Sequence, residues 1–287
     1  MAKASTKTVK KNSTPSKSTG KKEMINANAY SFLKEYINNP SPVGFESSGQ
    51  KLWLNYITKY VDTTFTDPYG TAVGVINPEA PFKVVIEAHA DEISWFVNYI
   101  NDQGLIHLKR NGGVDHQIAP SMRVWIHGKK GPVKAVFGWP AIHTRLSNPE
   151  QKEPQPKVDN LTLDCGARSK KEVEALGIHI GAVVTYEEGF DELANDFIIG
   201  RAFDNRIGGF MIAEVARQLK ENKKKLPFGL YIVNAVQEEI GLRGAEMIAR
   251  RIKPNIAIVT DVTHDTHTPM INKAIEGDIV CGKGPSL

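Results

Sequence analysis

Apolar residues recur at helical spacing in two early stretches: Phe32, Leu33, Tyr36 and Ile37 in MINANAYSFLKEYINN, then Leu52, Trp53, Tyr56, Ile57 and Tyr60 in FESSGQKLWLNYITKYV. The spacing predicts two amphipathic helices, parted by Pro40 and Pro42, since proline and the residue before it disfavour helical backbone. The β-rich runs TAVGVI and KVVIEAH follow, the second apolar enough for a buried strand. From about residue 94 to 188 the pattern changes to short strands punctuated by Gly and Pro: ISWFVNYI, GLIHL, RVWIHG, GPVKAVFGW, LTLDCG and AVVTYE. Only SKKEVEALG reads as a helix there. Helix and strand then alternate again in DNRIGGFMIAEVARQLKENK, FGLYIVNAV, GLRGAEMIARRI and NIAIVTDV. The pattern predicts an α/β domain of residues 23–93 and 196–287, split by a small β-rich insert, barrel or sandwich, over residues 94–195.

Composition changes this picture mainly at the start of the chain. With 287 residues, 41% of them hydrophobic, there is enough apolar material for a large core. Residues 1–22 carry seven lysines and no acid, and read as a disordered basic tail. Setting those seven charges aside turns the formal +4 of the chain into −3 for the body, which argues against a nucleic-acid partner. No signal-like apolar run precedes Tyr30 and none of membrane length follows, so a cytoplasmic protein without a membrane partner is expected. Cys165 and Cys281 lie far apart without CxxC spacing, which predicts neither a disulfide framework nor a thiolate zinc knot.

The candidate chemistry sits where strands end. KVVIEAH ends in His89, GLYIVNAVQ runs into Glu238 and Glu239, and NIAIVTD ends in Asp261, while Asp204 opens a helix. Taken singly each has an ordinary reading: acids favour the positive end of a helix dipole, Asp caps helices, and polar residues fill loops. Together they are harder to dismiss, because the carboxyl ends of strands in an open α/β sheet form one crevice. Imidazole with several carboxylates suits zinc, cobalt or manganese, and a carboxylate can bridge two such ions. Asp91, two residues past His89, is placed to bond the imidazole nitrogen that faces away from a metal. Of the adjacent glutamates, one would hold a metal and the other would stay free to take a proton from the attacking water.

EAHADEI, DCGARSKKEVEALGIHIG, FDNRIGG, VQEEIGLRGAE and TDVTHDTHTP resemble, in order, the signatures of the glutamyl-aminopeptidase and tetrahedral-aminopeptidase (TET) family of dimetal metallopeptidases. The likeness spans about residues 25–285. It implies a phosphorylase/hydrolase-like mixed-sheet catalytic domain, a dimerisation insert after the first ligand, and homo-oligomers from dimers to dodecamers. Carried over by position, His89 and Asp261 would bind one metal, Asp204 would bridge, Glu239 would bind the second, and Glu238 would be the general base with Asp91 orienting His89. Ser94 and Trp95 stand where the family commonly has Gly after the DEI segment, and are expected to narrow the floor of the site. Family members run on beyond GKGP and supply a late histidine for the second metal, so the chain is expected to be C-terminally incomplete; His264 and His267 are candidate substitutes but read first as loop histidines.

The function expected is a metallo-aminopeptidase with two divalent ions, zinc first among them, acting on peptide substrates. Three alternatives stand beside it. A non-catalytic assembly protein would keep the fold with an incomplete site. A glycoside hydrolase would use paired acids about 5–9.5 Å apart across a sugar, with no need of His89 or Asp261. Nucleic-acid binding would act through the lysine tail.

Overall fold

A computed structural model describes residues 25–146, 154–187 and 189–287; the lysine tail expected over residues 1–22 lies outside them. In chain order the elements are α1 (Ala27–Asn38), α2 (Ser47–Ile57), β1 (Thr63–Thr66), β2 (Ala72–Ile76) and β3 (Lys83–His89). The strands β4 (Ser94–Ile100), β5 (Ile106–Asn111), β6 (Arg123–Gly128) and β7 (Gly131–Gly138) come next, followed by a short α3 (Ile142–Arg145), β8 (Thr162–Asp164), α4 (Lys170–Ala175) and β9 (Val183–Tyr186). The chain then forms a small hairpin of β10 (Asp191–Glu192) and β11 (Ile198–Ile199), α5 (Phe203–Glu221), β12 (Gly229–Ala235), α6 (Arg243–Ile252), β13 (Ile256–Val259) and α7 (Lys273–Glu276).

Five strands make a mixed sheet in the order β1-β2-β12-β3-β13. β12 and β13 flank β3 in parallel, whereas β2 runs antiparallel to β12 and β1 to β2. The parallel pairing sets Ala235 opposite His89 and Val259 opposite Glu87, so the carboxyl ends of three strands meet at one edge. Helices α1, α2 and α5 cover one face. Asn26 caps α1 by accepting from the Ala29 amide, and the apolar stripe behind it buries Phe32, Leu33, Tyr36 and Ile37. Phe32 stacks on Tyr56 of α2 at 3.9 Å between ring centroids. Trp53, fully buried, donates its indole N–H to Gly209 O at 2.8 Å. Gly209 has to be glycine: a Cβ there would stand 2.9 Å from Asn234 Oδ1 and 3.0 Å from the Tyr36 hydroxyl.

Between β3 and α5 the chain builds a closed barrel, β4-β5-β8-β7-β6-β9. Trp95, Ile126, Leu163 and Phe137 fill it. A mixed α/β sheet interrupted by a barrel is the fold the hydrophobic pattern predicts. The structure differs from that pattern in detail. TTFT forms edge strand β1, too polar to be read as a strand, and the β10–β11 hairpin and short helices α3 and α7 also lack a periodic signal. β13 reads as apolar yet is exposed at all four residues, since among the described residues it pairs only with β3. Trp95 is not at the floor of any site: it lies in the barrel core, edge-on to Phe137 and Tyr186. Ser94 accepts from Asn111 Nδ2 at 2.8 Å. Among the described residues no helix is long and apolar enough to cross a membrane, and both cysteines are free.

Trp53 joins α2 to α5 by packing and by its hydrogen bond. Trp53→Ala is expected to lower the unfolding free energy by about 3–5 kcal/mol in denaturant titration; a loss below about 1 kcal/mol would show that this contact is not central to the core.

Candidate metal centre

His89 is the last residue of β3 and is nearly buried. Its Nε2 faces Asp204 Oδ1 at 3.0 Å and Glu238 Oε2 at 3.7 Å. Asp204 sits in an irregular opening of α5, where it and Asn205 depart from helical φ and ψ and the peptide between them is cis. It caps nothing there. That irregular turn aims its carboxylate at the sheet edge, and the Asn205 side chain donates to Thr260 O at 2.6 Å, beside Asp261. Thr260 is fixed in turn by donating from its amide and hydroxyl to Glu87 O, both at 2.9 Å.

The glutamate pair does not begin a helix. It lies in the turn after β12, beyond Gln237 in left-handed backbone (φ 56°), and α6 starts only at Arg243. Asp91, fully buried, accepts from the Glu238 amide at 2.9 Å through Oδ1 and from the Glu239 amide at 3.1 Å through Oδ2. Its distance to His89 Nδ1 is 3.5 Å, too long for a good N–H···O bond. Asp91 therefore faces the imidazole as the sequence suggested, but its strongest contacts hold the backbone of the glutamate turn. Glu46 supports the same turn, accepting from Gln237 N at 3.2 Å.

Two sets of donor atoms converge within 4.8 Å: His89 with Asp204 and Asp261, and His89 with Glu238 and Glu239. They share His89, so all five ligand and base candidates come together. Asp204 and Glu239 also line one cavity of about 180 Å³, with Glu92, Ile93, Tyr186, Arg201 and Ala202. His264 and His267 enter neither set; His267 faces Asp265 and Asp278 in its own loop. Glu87, two residues before His89 and so on the same face of β3, adds a buried carboxyl that the strand-end reading passed over.

The crowding shows in the titration of these groups. Burial alone would lower the His89 imidazole, but Asp204, Asp91 and Glu238 override it and push it up to about 10. Burial, with Asp204 beside it, pushes Glu239 up to about 7; burial also lifts Glu87 to about 7, with Glu238 and Asp261 adding to the effect. Glu238 is raised by burial first, then by Asp91, Asp261 and Asp204 against the pull of His89. A hard or borderline divalent cation would relieve that repulsion. The imidazole and carboxylate donors fit one, and the His89 Nδ1 left without a hydrogen bond marks a ring held from its other side.

A profile of the M42 glutamyl aminopeptidase family matches residues 70–287. The lysyl aminopeptidase of Pyrococcus furiosus is 31% identical, the match covering 90% of this chain and 72% of that protein. Two solved structures superpose over 90% of the chain. One is a TET aminopeptidase from a marine sediment archaeon, Thaumarchaeota archaeon SCGC AB-539-E09, with TM-score 0.85, 26% identity and 71% of that chain covered. The other is an aminopeptidase of Desulfurococcus kamchatkensis, with TM-score 0.81, 30% identity and 69% of that chain covered. Four relatives at 30–32% identity are matched over 64–72% of their own lengths. The chain belongs to the M42 glutamyl aminopeptidase family, which are peptide hydrolases.

Because Glu239 and Glu87 titrate near 7 and His89 near 10, a cation entering at pH 7 must displace protons. Adding Zn²⁺ or Co²⁺ to weakly buffered protein at pH 7 is expected to release protons beyond those of a no-protein control, and cation affinity is expected to fall as pH drops below 7. Binding without net proton release would contradict the arrangement described.

Proposed function

We propose that the chain is a metal-dependent aminopeptidase that removes the N-terminal residue of peptides, with two divalent ions, zinc first, held by His89, Asp204, Asp261 and Glu239. The observation that carries this reading is the pair of converging donor sets that share His89 at the carboxyl edge of the sheet. When bound, such ions supply Lewis acidity for the scissile carbonyl and lower the pKa of water. The chain's own residues supply the rest. Glu238 is half-buried, raised above the usual carboxylate range, and 3.7 Å from His89 Nε2, which suits a general base for the attacking water and then an acid toward the leaving amine. Asp91 positions Glu238 and Glu239 through their amides. Asp204 would take the bridging role, through a carboxylate that the irregular opening of α5 leaves exposed to the site.

Glycoside hydrolysis is less favoured, because two acids flanking a sugar leave His89 and the 4.8 Å convergence of donors unexplained. Kinship with TET aminopeptidases supports self-association into homo-oligomers, with residues 94–195 as the dimerisation insert on a catalytic domain of residues 23–93 and 196–287, in a cytoplasmic setting. An assembly protein with a silent site is the outcome if the following test fails.

Hydrolysis of a panel of aminoacyl p-nitroanilides is expected with added Zn²⁺ or Co²⁺ and to be abolished by chelator. Glu238→Gln is expected to cut kcat by about 10²–10⁴-fold while leaving bound metal unchanged by elemental analysis. Undiminished turnover in the variant would remove Glu238 from the base role; no turnover in the metal-loaded wild type would favour the assembly reading.

A further inference from the structure

Glu92 follows Asp91 and is buried, yet lies outside both donor sets. It occupies the centre of an ion cluster with two guanidinium groups. Oε2 accepts from Arg201 Nε at 2.8 Å and Oε1 from Arg206 Nη2 at 3.0 Å, while Oε1 also accepts from the Ser41 amide at 2.7 Å. Arg206 is fully buried and directs its Nη1 at the carboxyl end of α1, donating to Tyr36 O at 2.6 Å and to Asn39 O. Burial pushes Glu92 up, but Arg206 and Arg201 more than offset it and hold the carboxyl below its ordinary value.

The chain positions of these groups give the cluster its meaning. Glu92 is three residues past His89 and next to Asp91, which anchors the glutamate turn. Arg201 and Arg206 bracket Asp204, three residues before it and two after. The two segments are separated by the whole barrel; α5 packs against β3, with Gly208 beside Ala88, and the polar contacts that tie the segments include His89 to Asp204 and this ion cluster. The first is a contact between two ligands, which a cation entering between them would break. The second survives it.

We propose that Glu92 is a positioning residue of the metal centre: with Arg201 and Arg206 it clamps the opening of α5 to the end of β3, and so sets the reach of Asp204 across the site. The proposal rests on the metal-centre reading above. A carboxylate meant to bridge two ions must be held from outside the ion site, because its own attraction to the cations does not fix their spacing. Arg206 suits that task, since its Nη2 pairs Glu92 while its Nη1 bonds the carbonyls at the end of α1, so one buried guanidinium ties α5 to both.

The test is titration of the purified full chain with Co²⁺ alone, followed by visible absorption and calorimetry, with thermal melting of the metal-free protein alongside. Glu92→Gln keeps the side-chain size and removes the charge. Its affinity for at least one Co²⁺ is expected to fall about 10–100-fold with altered absorption bands. Unchanged Co²⁺ affinity and spectrum, with only a lower melting temperature, would overturn the proposal and leave Glu92 a structural ion-pair residue. Should Glu92→Gln fail to fold, Arg201→Lys at the cluster's outer edge decides the matter on the same readout: a weaker, spectrally altered Co²⁺ site supports the clamp, and wild-type behaviour overturns it. A wild-type chain that binds no Co²⁺ would instead overturn the metal-centre reading itself.

Discussion

Burial of several carboxylates around one imidazole is the constraint on which the candidate site depends. Glu87, Asp91, Asp204, Glu238, Glu239 and Asp261 surround a single imidazole, and burial first, then the neighbouring carboxylates, pushes Glu87, Glu238 and Glu239 up. Side chains left to themselves would swing apart into water. They cannot, because each is carried on backbone fixed by something other than the site: the parallel ladder of β12, β3 and β13, the Thr260 bonds to Glu87 O, and the amides of the glutamate turn held by Asp91. The fold supplies the rigidity, and a divalent cation would supply the missing charge.

Part of this was legible in the chain. Strand periodicity put His89, Glu238, Glu239 and Asp261 at strand ends, and parallel strands bring such ends to one edge whatever the intervening loops do. Asp204 was visible only because a helix-like run begins beside it, and its true setting, an irregular and non-capping turn, has no periodic signature. Glu87 was legible in principle from the two-residue period of β3, but a buried acid in an apolar strand reads as an anomaly until its neighbours are known. Arg206 was not legible at all. An arginine in an amphipathic helix reads as a surface residue, and only the tertiary fold shows it buried with Glu92 and the α1 carbonyls as partners. Asp91 was read as bonding the imidazole and stands 3.5 Å from it, while its bonds to two amides about 147 residues away depend on a turn that sequence does not specify.

Barrel closure explains how the two candidate ligands farthest apart across the insert meet. His89 precedes the barrel by five residues and Asp204 follows it, 115 residues along the chain, yet their side chains stand 3.0 Å apart. Entry strand β4 and exit strand β9 pair directly, Trp95 opposite Val184, so the barrel returns the chain to where it left the sheet. The barrel's own core of Trp95, Phe137, Ile126 and Leu163 helps offset the conformational entropy of closing so long a loop. An insert at this point of an α/β fold therefore acts as a clasp between His89 and Asp204.

The clasp also touches the chemistry. Gly112, in left-handed backbone just after β5, lies where a Cβ would stand 3.2 Å from the Glu239 Cβ and 3.0 Å from Ile93 Cγ2. Asn111, beside it, donates to Val43 O at 3.0 Å, and the Val43 amide donates in turn to Glu92 O at 3.2 Å. The barrel is thus wedged between the glutamate turn and the segment that carries Glu92, and a displacement of the barrel against the sheet would move Glu239 and the clamp on Asp204 together.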